Sequence, residues 1–171
     1  MKSIEDLYDL VNKSSFTTIG YTSQHESLKD EFISKLPHMV INGEINSSFS
    51  FKSFIRDSKL ELLLDNKDLI IPEYFVIDYE NVKFPNIDSM ARYLRLKETL
   101  ENLRYVGMEN NIKVIFTSPI YRLSEDYTIK GGSSPIYVAD LVLMLNGDNC
   151  KISKNRFSHG HFDETISLNG L

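Results

Sequence analysis

The sequence predicts an α/β fold in which a mostly parallel sheet carries helices on both faces. Segments rich in apolar and β-branched residues alternate along the chain with amphipathic segments of helical period. The segment EYFVIDYENV (73–82) is largely apolar before it ends in acids, which is typical of a strand buried on both faces of a parallel sheet. Parallel strands need right-handed crossovers, so the intervening helices should cover both faces.

The first half of the chain begins with a helix and a strand that have clear local signals. Ser3, with Asp6 three positions later, predicts a capped amphipathic helix over 3–13. The β-branched and aromatic run FTTIGY predicts a strand over 16–21. The remaining predicted elements of this half are a helix over 27–36, a strand over 38–45 and a helix over 51–66.

The second half is predicted to follow the strand at 73–82 with a long helix that Ser89 caps and that ends near Gly107. The elements after it are a strand over 112–118, a loop over 120–135, an antiparallel hairpin over 136–157 and a short strand within 162–171. Turn residues and mixed charge predict the loop. A tight GDN turn separates the two strands of the hairpin, and Ile152 alternates with polar neighbours in the second strand, so we expect the hairpin at the sheet edge.

The composition predicts one domain over residues 1–171, with the N-terminal helix (1–15) packed on its core. The chain is 42% hydrophobic and 25% charged, which suits a globular domain. It has no apolar run long enough to span a membrane, and acids occupy the N-terminus where a signal peptide needs apolar residues. We therefore expect a cytoplasmic protein without a membrane partner. The net charge of -5 implies that any nucleic-acid contact is local.

The sequence gives little reason to expect a metal site or a disulfide. Cys150 is the single cysteine, so an internal disulfide is excluded, and we expect it to be partly buried at a strand end. The segment HGHFDE (159–164) could offer two imidazoles and a carboxylate to a metal. Real metal ligands are usually held by strands or helices that fix their orientation. We therefore interpret this segment as a loop and expect no metal or cofactor.

The segment GYTSQHES (20–27) has the spacing of a phosphate-binding loop, Gly-x-x-x-x-Gly-Lys-Ser/Thr, between a predicted strand and a predicted helix. His25 replaces the second glycine, and Glu26 replaces the lysine. Two like unit charges about 4 Å apart repel by roughly 1 kcal/mol in water and about 4 kcal/mol at an effective dielectric of 20. Glu26 would thus oppose a phosphate. We interpret Gly20, His25, Glu26 and Ser27 as the relic of a nucleotide site, although Ser27 is equally an ordinary N-cap.

The order of the segments from 16 to 171 resembles the RecA-like ATPase core, within it the branch of DnaB-type replicative helicases and RadA. The segments FVIDY (75–79) and VINGEI (40–45) are similar to the strands that carry that family's second nucleotide motif and its catalytic glutamate. VIFTSPIYR (114–122) resembles its sensor strand, and KGGSSPIYVADLVLML with ISKNRF resembles its C-terminal part. The resemblance implies a three-layer twisted sheet with an antiparallel C-terminal hairpin.

The resemblance also implies roles for single residues. In an active relative, the position of Glu44 activates the attacking water, while those of Ser27 and Asp78 serve magnesium beside ATP. Pro119 stands where the family has glutamine, so the sensor is altered as well as the phosphate loop. Lys154 and Arg156 match residues that reach a neighbouring subunit's nucleotide. They are equally interpreted as polar residues that protect a strand edge.

The predicted loop of 121–134 occupies the place of the family's DNA-contacting loops. Aromatic and basic residues there could hold single-stranded DNA by stacking and local charge. The candidates are Tyr121, Arg122, Tyr127, Lys130, Gly131 and Gly132. Glu125 and Asp126 weaken that case, and a solvated loop without a ligand remains the alternative.

Three hypotheses follow for the function. The first is a non-catalytic RecA-like accessory protein of DNA replication or recombination that binds a helicase, a recombinase or single-stranded DNA. The second is a divergent DNA-dependent ATPase that uses ATP and magnesium and works as an oligomer. The third is a self-assembling structural module. The small size suits a protein encoded by a phage or plasmid, which would act in the host cytoplasm.

Overall fold

A computed structural model describes residues 3–22, 26–36, 38–40, 43–44, 74–83, 89–109, 111–123, 126–130, 132–157 and 164–169. The helices are α1 (Ile4–Lys13), α2 (Glu26–Ser34), α3 (Ser89–Glu109) and α4 (Ser134–Val138), with a 3-10 turn at Tyr79–Asn81. The strands are β1 (Phe16–Tyr21), β2 (His38–Val40), β3 (Gly43–Glu44), β4 (Tyr74–Asp78), β5 (Val82–Lys83), β6 (Lys113–Leu123), β7 (Asp126–Ile129), β8 (Leu141–Asn146), β9 (Asn149–Asn155) and β10 (Thr165–Ser167).

The main sheet is mixed and mostly parallel, which confirms the predicted α/β class. Its strand order is β10-β9-β8-β1-β6-β4-β2, and β7 pairs with β6 outside this path. The contiguous strands from β8 to β2 are parallel to their neighbours, whereas β9, β10 and β7 are antiparallel to theirs. The parallel strands give the sheet two distinct edges. The carboxyl edge lies where β1 and β4 end, beside the middle of β6, and the amino edge lies where β1 and β8 begin.

Buried side chains form two clusters that lie on opposite faces of the sheet. Successive residues of β8 alternate between them, with Val142 in one cluster and Leu141 and Leu143 in the other. The first cluster contains Leu96, Leu100 and Leu103 of α3. The second contains the buried apolar residues of α1 and α2, which are Leu7, Leu10, Val11, Phe32 and Ile33. Apolar residues at helical spacing therefore cover both faces.

The local signals predicted α1 and β1 correctly. The Ser3 hydroxyl accepts the Asp6 N–H at 3.2 Å, and the Asp6 carboxylate accepts the Ser3 N–H at 3.1 Å, which makes the predicted capping box. All six residues of β1 are buried between β6 and β8. The strand predicted over 38–45 is instead two short strands, of which β3 pairs with β5 in a separate small sheet. The helix predicted over 51–66 lies outside the described residues.

The prediction of a loop over 120–135 was wrong. Strand β6 continues to Leu123 and pairs with β7 as an antiparallel hairpin. Ile120 and Ile129 are opposite each other in this hairpin and are both buried in the core. Burial of these two apolar side chains stabilises the extension of β6 beyond the parallel sheet. Of the turn residues that suggested a loop, Gly132 and Ser133 lie between β7 and α4, whereas Ser134 and Pro135 begin α4.

The C-terminal hairpin differs from its prediction in its start and its position. Residues 134–138 form α4, with Pro135 in its first turn, and strand β8 begins only at Leu141. β8 lies between β1 and β9 in the interior of the sheet, and β10 is the terminal strand on this side. The short strand predicted within 162–171 is confirmed as β10. Cys150 is completely buried rather than partly buried, and its burial raises the pKa of the thiol to about 12.

Candidate functional site

Gly20, which the sequence suggested as the first glycine of a phosphate loop, lies inside β1 rather than in a turn. A Cβ atom at this position would lie 2.4 Å from Cγ2 of Ile120 and 2.6 Å from Sδ of Met144. Both distances are far below a normal contact. Glycine is therefore explained here by the close packing of side chains over the sheet, which the sequence spacing could not reveal.

The other phosphate-loop positions lie at the start of α2. Glu26 is the first residue of this helix, and both Glu26 and Ser27 are exposed. His25 lies outside the described residues. The predicted context of a strand, a short connection and a helix is present, since β1 ends at Tyr21 and α2 begins five residues later. A carboxylate in the first turn of a helix is stabilised by the helix dipole, so Glu26 has an ordinary structural role there.

Asp78, at the end of β4, is the centre of a buried polar cluster at the carboxyl edge. Its Oδ2 atom accepts hydrogen bonds from the Tyr21 hydroxyl at 3.0 Å, the Lys29 ammonium at 3.0 Å and the Thr117 hydroxyl at 2.7 Å. Its Oδ1 atom accepts the Glu80 N–H at 2.9 Å. The cluster therefore joins the ends of β1 and β4 and the middle of β6 to α2.

Lys29 and Asp78 form a buried ion pair within this cluster, with side chains only 8% and 11% exposed. The Lys29 ammonium also lies 4.3 Å from the centre of the Tyr21 ring, in a cation–π contact. Burial alone would raise the pKa of Asp78, but the Glu80 N–H, the Thr117 hydroxyl and Lys29 together lower it. Burial and the adjacent carboxylate raise the pKa of Tyr21, so this residue remains a neutral donor.

These contacts do not fit the magnesium role that the family resemblance implies for Asp78. The Oδ2 atom of Asp78 already accepts three protein donors, more than its two lone pairs, and its Oδ1 atom accepts one. The charge of the group is already balanced by Lys29. The exposed carboxylate of Glu26 stands where the loop would need a cation. As arranged, the Oδ2 atom of Asp78 has no free lone pair for the water of a metal ion, and the charge that would attract the ion is already balanced by Lys29.

The remaining nucleotide-site candidates stay predictions. Glu44 lies in β3, and its backbone pairs with Lys83 of β5. Pro119, at the altered sensor position, lies in β6 opposite Tyr21, and its carbonyl accepts the Lys130 N–H at 2.8 Å. The carbonyl is thus used to join β6 to the end of β7.

The DNA-contact candidates lie on the β6–β7 hairpin and just beyond it. Tyr121 is 47% exposed, and the backbones of Arg122 and Tyr127 are paired across the hairpin. The ammonium of Lys130 forms an ion pair with Glu80 at 2.8 Å, which raises the pKa of Lys130. Gly132 adopts a φ of 79°, a left-handed conformation that favours glycine. Gly131 lies outside the described residues.

Lys154 and Arg156, the candidates for a residue acting on a neighbour, both contact their own chain. The Lys154 ammonium donates to the carbonyls of Ile136 and Tyr137 at 2.8 and 3.2 Å. The Arg156 guanidinium donates to Asp140 at 2.7 Å. They therefore hold α4 and the start of β8 against the end of β9, and their role across a subunit interface stays a prediction.

Asp140 organises the amino edge of the sheet and was missed in the sequence. Its Oδ2 atom accepts the N–H groups of Ser15 and Phe16 at 3.1 and 3.2 Å, where β1 begins. Its Oδ1 atom accepts Arg104 at 2.8 Å and Arg156 at 2.7 Å. One buried carboxylate therefore joins α3, β1 and the residue that follows β9.

Lys29 was also missed, although the sequence carries a signal for it. It precedes Phe32 and Ile33 by three and four positions, so a helix over this segment places it on the buried stripe. A lysine on such a stripe needs a buried acid as its partner. Asp78 was the acid available at a strand end.

No protein-family model matches the sequence, and no curated protein does. The helices among the described residues include none that is long and apolar enough to cross a membrane. Within the same residues, histidine, cysteine, aspartate and glutamate side chains form no group of three or more that could bind a metal ion. Most of the segment HGHFDE lies outside them.

Proposed function

We propose that the protein is a non-catalytic RecA-like accessory protein of DNA replication or recombination that works by binding. The observation that carries the non-catalytic part is the occupation of Asp78 by four donors of the protein itself, including the buried Lys29. Phosphoryl transfer depends on cations that stabilise the charge of the transferring group. Here the buried lysine is paired with the acid, and Glu26 adds negative charge at the position of the missing lysine.

The RecA-like part of the proposal rests on the order of the segments, and the sheet supports it. β1 lies in the interior between β6 and β8, and its carboxyl end leads into α2. Ligands of open α/β sheets bind outside the carboxyl ends of the strands, so the Asp78 cluster is where a RecA-like protein would hold its nucleotide. Helices on both faces and the antiparallel β8–β9 hairpin agree with the three-layer arrangement that the resemblance implies.

Single-stranded DNA is the binding partner that we propose first, with the β6–β7 hairpin as its contact surface. Tyr121 offers an exposed aromatic side chain on this hairpin, and Lys130 lies at its end. Aromatic stacking beside a few cations holds single strands without a strongly basic surface. A helicase or recombinase that carries the same strand would then be recruited beside it.

Fluorescence anisotropy with labelled oligothymidylate tests this proposal. We expect Tyr121→Ala to weaken binding by about tenfold, because stacking contributes about 1–3 kcal/mol per base. Tyr121→Phe keeps the ring and should bind like the unmodified protein. Tyr105→Ala is a matched control, since Tyr105 is exposed on α3 and not on the hairpin. Equal affinity of all four proteins, or no binding at all, would overturn the DNA part of the proposal.

Lys29 favours a divergent ATPase as the second candidate. It lies on the helix that follows the altered loop, close to an acid at the end of a neighbouring strand. A rearrangement that separated Lys29 from Asp78 would supply the cation that Glu26 displaced. This candidate requires ATP hydrolysis that depends on magnesium and is lost in Lys29→Met. Hydrolysis that fails to exceed background in the presence of single-stranded DNA would exclude it.

A further inference from the structure

A cleft opens at the amino edge of the sheet, far from the Asp78 cluster. It lies between the second half of α3, the short helix α4 and the end of β9, and its volume is about 350 Å³. Small-molecule sites usually have volumes of about 300–1,000 Å³, so the cleft could hold a compact ligand. Its lining residues are Glu101, Arg104, Tyr137, Val138, Lys154 and Arg156.

Three cations converge on this cleft and keep unused hydrogen-bond donors. Arg104 donates two of its five N–H groups to Val138 and Asp140, and Arg156 donates one to Asp140. Their side chains are 27% and 44% exposed, so the remaining donors can reach a ligand. Burial, with the adjacent Arg156 and Arg104, lowers the pKa of Lys154. The three cations therefore repel one another, and an anionic group bound in the cleft would offset that repulsion.

An exposed aromatic ring lies beside these cations. Tyr137 of α4 is 69% exposed, although tyrosine carries a large apolar surface. The Lys97 ammonium lies 5.3 Å from the centre of the ring and covers one of its faces. The exposure of the residue leaves the other face available for a planar group. The cleft therefore offers a stacking surface as well as positive charge.

Glu101 makes the cleft unsuited to a bare anion. Its carboxylate lines the same space as the three cations and would repel inorganic phosphate. A ligand that also carries hydroxyl or amino donors would find an acceptor in Glu101. Carboxylates of this kind bind sugar hydroxyls in nucleotide sites. The lining therefore suits a molecule that joins an anionic group, a donor-bearing part and a flat ring.

We propose that this cleft binds a nucleoside phosphate, whose phosphate contacts Arg104, Lys154 and Arg156 while its base stacks on Tyr137. The ligand is either a free nucleotide or one unit of a single-stranded nucleic acid. The family resemblance implies that Lys154 and Arg156 contact a nucleotide bound by a neighbouring subunit. In this proposal they instead act together with Arg104 on a ligand bound by their own subunit. It is also independent of the proposed function, since it involves neither Asp78 nor the β6–β7 hairpin.

Calorimetric titration of the full chain in low salt with EDTA tests the proposal. The probes are AMP, ATP, inorganic phosphate, oligothymidylate and oligoglutamate. We expect AMP to bind, and we expect Arg156→Gln and Tyr137→Ala each to weaken it by about tenfold, which matches one charge-assisted hydrogen bond or one stacked base. The affinity of Arg156→Lys for AMP should lie between those of the unmodified protein and Arg156→Gln, because lysine keeps the charge but loses the planar guanidinium group.

Matched controls separate this site from general effects of charge and from the carboxyl edge. Tyr137→Phe keeps the ring, and Lys35→Gln removes a positive charge from an exposed position at the end of α2, so both should bind AMP normally. Added magnesium should also leave AMP binding unchanged. Circular dichroism verifies that Arg156→Gln, which loses a bond to Asp140, is folded.

Each outcome decides for or against the proposal. Binding of AMP or of oligothymidylate that falls in Arg156→Gln and Tyr137→Ala supports it, and the better probe identifies the source of the ligand. Inorganic phosphate that binds as tightly as AMP, with no effect of Tyr137→Ala, would reduce the site to simple anion binding and overturn the proposal. Binding of oligoglutamate alone would assign the cleft to an acidic peptide. Absence of binding to every probe would overturn the proposal as well.

Discussion

Two buried aspartates lie at opposite edges of one sheet and differ in how their charge is balanced. Asp78, at the carboxyl edge, is paired with a lysine whose side chain is 8% exposed. Asp140, at the amino edge, is paired with two arginines whose side chains are 27% and 44% exposed. The first cluster is closed, because the cation and the acid are both buried. The second is open, because the acid is buried but its cations extend toward solvent.

This difference shows why the edge that the sequence suggests for a ligand is the less suitable one. The carboxyl edge of a parallel sheet is the usual ligand site, but here its acid and its cation are already bound to each other. At the amino edge, three cations share one buried acid and one acid of the cleft. Among the described residues of the amino edge, cations with unused donors therefore lie together with an exposed ring in one cleft.

The largest expected loss in the free energy of unfolding comes from breaking the closed cluster. Asp78→Asn leaves the buried Lys29 ammonium with only the exposed carboxylate of Asp30, 3.5 Å away, as a counter-charge. Removal of one partner of a buried pair costs about 3–5 kcal/mol. Lys29→Met should cost less, because Asp78 keeps three other donors. The double variant, Asp78→Asn with Lys29→Met, should regain much of the free energy of unfolding that Asp78→Asn loses. Urea unfolding of all four proteins measures the free energies of unfolding and the coupling between the two residues.

Glu98→Gln is the control for this cycle, because the ion pair of Glu98 with Arg95 is on the surface of α3. Such pairs contribute about 0–1 kcal/mol. A loss in Asp78→Asn as small as that of the control would contradict the closed cluster.

A smaller loss is expected at the open cluster. Asp140→Asn keeps one acceptor for β1 but removes the charge that Arg104 and Arg156 share, and the arginines can turn to water. The loss in the free energy of unfolding should be about 1–3 kcal/mol. It should stay below that of Asp78→Asn in the same urea titration. The reverse order would show that the amino edge, and not the carboxyl edge, is the more strongly coupled cluster.

The next effect tests the packing role of Gly20 beside the closed cluster. Gly20→Ala forces Ile120 and Met144 to move, and overpacking of this kind costs about 1–3 kcal/mol, with the flexible Met144 keeping the loss toward the lower end. Gly147→Ala is a control in which the loss of stability comes from the backbone and not from packing. Gly147 has a φ of 60°, and no atom lies within 4 Å of the position of its missing Cβ. Its cost should be about 1 kcal/mol from the backbone alone. Thermal unfolding of both variants tests this, and a neutral Gly20→Ala would argue against close packing.

The smallest expected effect is a dependence of the free energy of unfolding on pH, which arises from Asp78. The native pKa of Asp78 lies below its ordinary value of 3.8, so its contribution is complete at neutral pH and is lost as the pH falls from 3.8 through the native pKa. The difference in free energy of unfolding between the unmodified protein and Asp78→Asn should therefore narrow in this acid range. Urea titrations between neutral and acidic pH measure it. A gap that widens as the pH falls would mean that the native pKa is raised.

The sequence predicts those parts of the fold that depend on local signals. The capping box of α1, the apolar run of β4 and the period of α3 all act within a few residues of one another. The β6–β7 hairpin and α4 were not predicted, because the burial of Ile120 and Ile129 depends on the rest of the sheet. Local turn signals were interpreted there as a loop.

The candidate sites were less predictable than the fold. Asp78 was found because it follows an apolar strand, but its partners Lys29 and Thr117 are 49 and 39 residues away in the chain. Asp140 joins residues more than a hundred positions apart. Spacing within a motif carries no information about such contacts. Gly20 shows the converse, since its spacing suggested a loop while its neighbours across the sheet explain the glycine.

The most direct test of the closed carboxyl edge is calorimetric titration with a non-hydrolysable ATP analogue, with magnesium and with EDTA, in the unmodified protein and in Asp78→Asn. The arrangement of the Asp78 cluster predicts that any binding is the same with and without magnesium and in both proteins, because Lys29 already balances the charge of Asp78 and three protein donors occupy its Oδ2 atom. Binding that requires magnesium and disappears in Asp78→Asn would show instead that the cluster opens to a nucleotide, and would contradict the non-catalytic function.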